Sequence, residues 1–176
     1  MRYFYIEEDK EVINRPQIMN WYKEIDERYL HYGTFHKVAE KTVLYISSNK
    51  STYYPEIITT PFLMISKKIK DILKLYEPNM GYRQVILIDF NNDKATQYFI
   101  PHIKRFDCLT EKSEFNKFHT SLKRIVIDSR KVGDSCIFEL DNVSDRHIIV
   151  RMDFLESILR RGAMIGFKEV EVEEES

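Results

Sequence analysis

Short runs of aromatic and β-branched residues recur along the whole of this 176-residue chain. Aromatic residues make up 13% of the sequence, whereas glycine and proline number only 5 each. Aromatic and β-branched side chains favour strands, and a chain with few turn-forming residues leaves little room for long irregular loops. The sequence therefore predicts a sheet. We expect strands at residues 2–6, 42–47, 61–65, 84–90, 95–100, 123–128, 135–140, 147–152 and 167–172.

One of these segments, residues 84–90, is apolar at positions that would face both sides of a sheet. Such a pattern is typical of a central strand that is covered on both faces. The next three residues, 91–93, have the composition of a turn, and residues 95–100 are placed to return as the partner strand of a hairpin.

Three segments have the apolar spacing of helices. The first covers residues 16–29; the second is preceded by Ser66 as a candidate cap and is ended by Pro78. The third begins at Asp153, which has the spacing of a capping box with Glu156. We predict an α+β fold, in which two or three helices pack on a mainly antiparallel sheet. No internal repeat is visible.

The length suits one domain spanning residues 1–176. Residues 48–54 form the longest polar, turn-rich stretch, so they are a candidate boundary. If the chain divides there, residues 1–54 form an N-terminal lobe and residues 55–176 form the main α+β body.

The net charge and the first residues of the chain bear on its compartment and on nucleic-acid and membrane partners. Lys and Arg number 27 against 28 Asp and Glu, which gives a net charge of -1. A nucleic-acid-binding protein would usually have a basic excess. No signal-peptide pattern follows Met1, and no apolar run approaches the length of a membrane span. Two cysteines without C-x-x-C spacing suit a reduced environment. We expect a cytoplasmic protein with neither a nucleic-acid nor a membrane partner; its oligomeric state is left open.

Two groups of residues could support hydrolytic chemistry. Aspartates follow predicted strands, where a metal-dependent hydrolase could place its ligands. Cys108 could form a nucleophilic pair with His102 or His119. Aspartates are also ordinary turn residues, and free cysteines are usually buried. Phosphate-binding and nucleophile-elbow motifs are missing, so we expect a non-enzymatic protein without a metal or cofactor. The aspartates are Asp89, Asp93, Asp107 and Asp128.

The end of the chain concentrates negative charge. Its glutamates lie on and after the last predicted strand, where outward charge could protect a sheet edge from aggregation. The same charge could instead contact a basic partner and increase the association rate. The candidate contact residues are Glu169, Glu171, Glu173, Glu174 and Glu175.

Several strand and helix-cap segments resemble a known family. They are residues 61–73, 85–89, 98–101 and 106–109, and the run 149–161 with Gly166-Phe167 after it. In these segments the chain is similar to the immunity-like proteins of bacterial polymorphic-toxin loci, long described only as a domain of unknown function. The aromatic opening strand, Tyr3-Phe4-Tyr5, fits the same pattern.

This resemblance implies a cytoplasmic protein that binds and neutralises a cognate toxin and has no catalytic residues of its own. Two other functions stay open on the sequence. One is a metal-dependent or cysteine-based hydrolase, and the other is a regulatory or scaffold module that binds a different protein.

Overall fold

The computed structural model describes residues 1–118 and 121–173. Within these residues, the chain forms many short strands and two short α-helices. The strands are β1 (Tyr3–Glu7), β2 (Gln17–Met19), β3 (Lys41–Ser47), β4 (Ile57–Ile58), β5 (Met64–Ser66), β6 (Tyr82–Asp89), β7 (Lys94–Pro101), β8 (Lys104–Phe106), β9 (Glu114–Phe115), β10 (Leu122–Arg124), β11 (Val126–Ile127), β12 (Ile137–Leu140), β13 (Ile148–Arg151) and β14 (Gly166–Val172). The helices are α1 (Lys67–Tyr76) and α2 (Met152–Leu159).

The strands form two large sheets and one small one. Sheet I has six strands in the order β11-β14-β1-β13-β12-β8, and sheet II has six in the order β2-β3-β6-β7-β5-β4. Strands β9 and β10 pair separately. Neighbouring strands are parallel in the pairs β3–β6, β11–β14 and β8–β12, and antiparallel in the others. Because β1 pairs with β13 and β14, the start of the chain lies within a sheet formed by its end. A division at residue 54 stays a prediction.

The predicted α+β fold, with helices packed on one mainly antiparallel sheet, is wrong. Sheets dominate the fold, and α1 and α2 have only 10 and 8 residues. The sheets divide the apolar side chains among three clusters, and only one of these clusters includes the helices. Most of the buried apolar surface therefore lies on strands.

The first predicted helix, at residues 16–29, is also wrong. Its beginning forms strand β2, and two 3-10 turns follow at Trp21–Lys23 and Glu27–Leu30. Between β2 and the first turn, Asn20 has a φ of 49°, which no α-helix tolerates. Asp26 then has an extended backbone, and its carboxylate accepts the N–H of Arg28. These two residues interrupt the helical pattern, although apolar side chains of the segment still pack on sheet II.

The second predicted helix is confirmed as α1, while the start of the third differs from the prediction. Ser66 caps α1, and its hydroxyl accepts the N–H of Ile69. Helix α2 begins at Met152, so Asp153 lies inside the first turn and is not its cap. The Asp153 carboxylate instead accepts the adjacent N–H of Phe154 at 2.9 Å and pairs with Arg151 at 2.8 Å. Asp153 therefore does not form the predicted capping box with Glu156.

The chain contains an internal repeat, so the expectation that it has none is wrong. The unit β5-α1-β6 corresponds to β13-α2-β14, with equivalent residues 85 positions apart: both helices begin at equivalent positions, Lys67 and Met152. The pattern Gly-aromatic-basic-x-Val follows each helix, at residues 81–85 and 166–170.

Strand pairing extends this repeat through both large sheets. The order β3-β6-β7-β5-β4 in sheet II matches β11-β14-β1-β13-β12 in sheet I, and each pair of neighbours has the same relative direction. Tyr98 lies opposite Val85 in sheet II, and Tyr3 lies opposite Val170 in sheet I. The first strand of the chain thus fills the place in sheet I that β7 fills in sheet II.

The two helices join the two sheets. Apolar residues of α1 and α2 share one core with residues of both sheets, including Phe4 of β1 and Phe99 of β7. At the end of α1, the Tyr76 hydroxyl lies 2.5 Å from Ser157 Oγ and donates to the Asp153 carbonyl oxygen at 3.1 Å. The Tyr76 ring also meets the edge of Phe154 at 5.4 Å between centroids.

Tyr76→Phe tests this junction. The variant keeps the ring and loses the hydroxyl, which leaves Ser157 without this partner. We expect the free energy of unfolding to fall by about 0.5–1.5 kcal/mol in denaturant titrations. Tyr53→Phe, at an exposed tyrosine, is the matched control and should change it by less than about 0.5 kcal/mol. If both variants are equally stable, the Tyr76 hydroxyl does not contribute to holding α1 against α2.

Candidate protein-binding surface

The two faces of sheet II differ in how they are covered. Leu44, Val85, Leu87 and Tyr98 point to one face and belong to a closed core. On the other face, α1 covers only the part around Tyr82 and Phe99, where the Lys70 ammonium lies 5.1 Å and 3.6 Å from the ring centroids. The prediction that residues 84–90 are covered on both sides is therefore wrong for the part of β6 beyond α1.

The uncovered part of this face carries a group of apolar side chains. Tyr45 is 51% exposed and Phe90 is 77% exposed. Their rings stack at 5.4 Å between centroids with an interplanar angle of 12°. Register places the other members beside them on β2, β3 and β6. We call this surface the open face; it consists of Met19, Val43, Tyr45, Ile86, Ile88 and Phe90.

The repeat shows that the fold does not require an apolar surface here. The positions in sheet I that correspond to Gln84, Ile86 and Ile88 carry glutamates. Each glutamate pairs with a basic side chain: Glu169 with Arg2 at 2.6 Å, Glu171 with Arg124 at 2.6 Å and Glu173 with Lys112 at 2.9 Å. The same strand positions are thus compatible with a charged, solvated face. Large exposed apolar patches usually mark interaction sites, so the open face is our candidate for protein binding.

The glutamates predicted to contact a partner have a different environment from the one expected. Glu169 and Glu171 lie on β14, and Glu173 follows it. Strand β14 lies between β11 and β1, so the idea of an acidic edge strand is wrong. The ion pairs within the chain neutralise much of this charge, and they lower the pKa of Glu169 and Glu171 through hydrogen bonds from Arg2 and Arg124. Glu174 and Glu175 lie outside the described residues. Partner contact by these glutamates stays a prediction.

A buried carboxylate fixes the hairpin that carries Phe90. Asp89, at the end of β6, is only 1% exposed. It accepts hydrogen bonds from the hydroxyls of Ser48 and Tyr54, from the backbone of Asn91 and from the backbone and side chain of Asn92. Burial by itself would raise the pKa of Asp89, but these hydrogen bonds outweigh it and hold the pKa well below the usual range. The carboxylate therefore ties the loop at residues 48–54 to the β6–β7 turn.

The Asp89 network predicts a defined pH dependence. A carboxyl whose pKa is lowered by folding stabilises the protein above its unfolded pKa of about 3.9, and this contribution is lost as the pH falls through the folded pKa. Asp89→Asn should lower the midpoint of thermal unfolding at pH 7. The gap to the unmodified chain should shrink as the pH falls below about 4.

Asp93→Asn, in the adjoining turn, is the control for this titration. Asp93 has a φ of 49°, a conformation that asparagine also tolerates. Its variant should show no such gap. A gap for Asp89→Asn that stays constant from pH 7 down to pH 2 would contradict the role given to the Asp89 carboxylate.

Cys108 and His102, two of the residues considered for hydrolytic chemistry, are packed against other parts of the chain. Cys108 is fully buried, and burial raises the pKa of its thiol to about 11, so it is protonated at neutral pH. The His102 ring is stacked between the rings of Tyr32 and Phe35, with centroid distances of 4.5 Å and 4.3 Å. His119 lies outside the described residues. A protonated, enclosed thiol is unsuited to act as a nucleophile.

The aspartates are distributed among different roles. Asp89 is surrounded by its five donor groups, and Asp128 pairs with Arg130 at 2.9 Å. Asp93 lies in the β6–β7 turn, and Asp107 follows β8. Among residues 1–118 and 121–173, no three His, Cys, Asp or Glu residues are grouped so that they could hold a metal ion.

Comparisons with known proteins add no relative. No family model matches the chain, and a search of curated proteins finds no match. In the described part of the chain, neither helix is long and apolar enough to cross a membrane.

Proposed function

We propose that this chain is a non-enzymatic immunity-type protein that binds a cognate bacterial toxin through the open face and neutralises it. The observation that carries this proposal is the contrast between the two sheets. At equivalent positions, sheet I carries the ion-paired Glu171 and Glu173, whereas sheet II carries Ile86 and Ile88, two partly buried side chains of the open face. Because the fold does not require the apolar residues, binding is the simplest reason for them.

The composition of the open face suits a protein partner. Aromatic residues and methionine are enriched in protein interfaces, and aromatic residues often contribute most of the binding energy. Tyr45 and Phe90 form a stacked pair, and the Asp89 network fixes the hairpin that presents Phe90. A surface that is already ordered loses little conformational entropy on binding. The family resemblance supports a toxin as the partner and the cytoplasm as the compartment.

Neutralisation requires only that the bound chain covers the toxin's active site or holds the toxin in an inactive form. Neither route needs a reactive group from this chain. The protonated Cys108 thiol and the saturated Asp89 carboxylate are consistent with such a passive role.

Co-expression tests the proposal. The proposal predicts that a neighbouring gene encodes a toxin domain; this domain should arrest growth, and the unmodified chain should restore it. Tyr45→Ser/Phe90→Ser should fail to restore growth, because losing an aromatic anchor costs about 2 kcal/mol or more, which is roughly 30-fold in Kd. Both side chains are exposed, so folding should be nearly unaffected, which thermal unfolding would check.

Ile13→Ser/Phe118→Ser is the matched control, because these side chains are 84% and 82% exposed and lie outside the open face. This control variant should restore growth fully. If the unmodified chain neither restores growth nor co-purifies with the toxin domain, the proposed function is wrong. If both double variants restore growth equally, the open face is not the binding surface.

A further inference from the structure

We propose that the partner of the open face presents an apolar patch bordered by acidic side chains. This inference rests on the proposed function, and it adds the chemistry of the partner. It follows from the charges that surround the open face.

Lysines border the open face on two sides. Lys41 is exposed on β3 and points to the same face as Val43 and Tyr45. Along the other side runs α1, where Lys67, Lys70 and Lys74 have the i, i+3, i+7 spacing of one helical face. Contacts of Lys70 with Phe99 and Tyr82 show that this face of α1 is directed towards β6 and β7.

Most of these lysines have no carboxylate partner in the part of the chain that the structure describes. Lys67 pairs with Asp71 at 2.6 Å. By contrast, no carboxylate in the described part of the chain lies within 4.0 Å of the ammonium groups of Lys41, Lys70 or Lys74. At the hairpin end, Lys94 offsets the charge of Asp93, and the buried carboxylate of Asp89 is enclosed by its hydrogen-bond donors. The two sides of the open face that carry these lysines are therefore positive, although the whole chain has a net charge of -1.

The sign of this border selects among possible occupants. In a symmetric dimer through the open face, the lysines of one copy would lie against those of the other, which costs energy. A partner with acidic side chains around its apolar patch would instead meet complementary potential on every lysine-bearing side. The acidic strand β14 is less suited to such attraction, because Arg2 and Arg124 already neutralise Glu169 and Glu171.

Association kinetics test the inference. The probe is the toxin domain that the proposed function predicts to be encoded beside this gene, in a catalytically inactive form. Lys41→Glu/Lys74→Glu should slow association about tenfold or more at low ionic strength, and added salt should reduce the difference. Lys117→Glu/Lys123→Glu, at two exposed lysines outside the open face, makes the same change in net charge; it is the matched control and should change the rate much less. Thermal unfolding confirms that each variant is folded.

The possible outcomes separate this inference from the proposed function. If the toxin domain binds the unmodified chain and Lys41→Glu/Lys74→Glu associates at the same or a higher rate, the acidic border is wrong while the proposed function stands. No binding to the unmodified chain overturns both. If Glu169→Gln/Glu171→Gln slows association and Lys41→Glu/Lys74→Glu does not, the glutamates of β14 attract the partner and the inference is wrong. If the chain binds duplex DNA and Lys41→Glu/Lys74→Glu does not, the occupant is a nucleic acid and the inference is wrong. If the chain self-associates and Tyr45→Ser does not, the occupant is a second copy and the inference is likewise wrong.

Discussion

The packing of α1 against α2 is the contact on which the whole arrangement depends. Each large sheet has a core of its own, and a third core shared by both helices joins the sheets. The helices occupy equivalent positions in the repeat, so the junction pairs two copies of the same structural unit. Because α1 is directed towards the junction, it covers only one end of the outer face of sheet II. The open face is the part of that sheet that α1 does not reach.

The repeat also gives the clearest reason to assign a function to the open face. An exposed isoleucine or tyrosine on a single sheet is common and needs no explanation. Here the same strand positions occur twice in one chain, once with Glu171 in an ion pair and once with Ile86 on an apolar surface. Both versions are compatible with the fold, so folding alone does not account for the apolar one. The lysines of α1 and β3 then define which kind of partner fits it.

Local patterns in the sequence predicted local structure, and they failed where distant segments decide the result. The strand at residues 84–90 and the Ser66 cap depend on neighbouring residues and are confirmed. The helix at residues 16–29 fails because Asn20 adopts a left-handed conformation that apolar spacing does not reveal. The repeat is not visible as a simple sequence repeat because its equivalent central strands, β1 and β7, stand at different places in the chain order. The glutamates of β14 looked unpaired because Arg2, the partner of Glu169, is 167 residues away.

Hydroxyl-radical footprinting of the complex with the inactive toxin domain tests the central claim most directly. The open face contains Met19, Tyr45 and Phe90, whose side chains react readily with the radical and are exposed in the free chain. The account predicts that toxin binding protects these three side chains and leaves the exposed Tyr22 and Phe118 as reactive as before. A stable complex in which Met19, Tyr45 and Phe90 keep their full reactivity, with protection elsewhere on the chain, would contradict it.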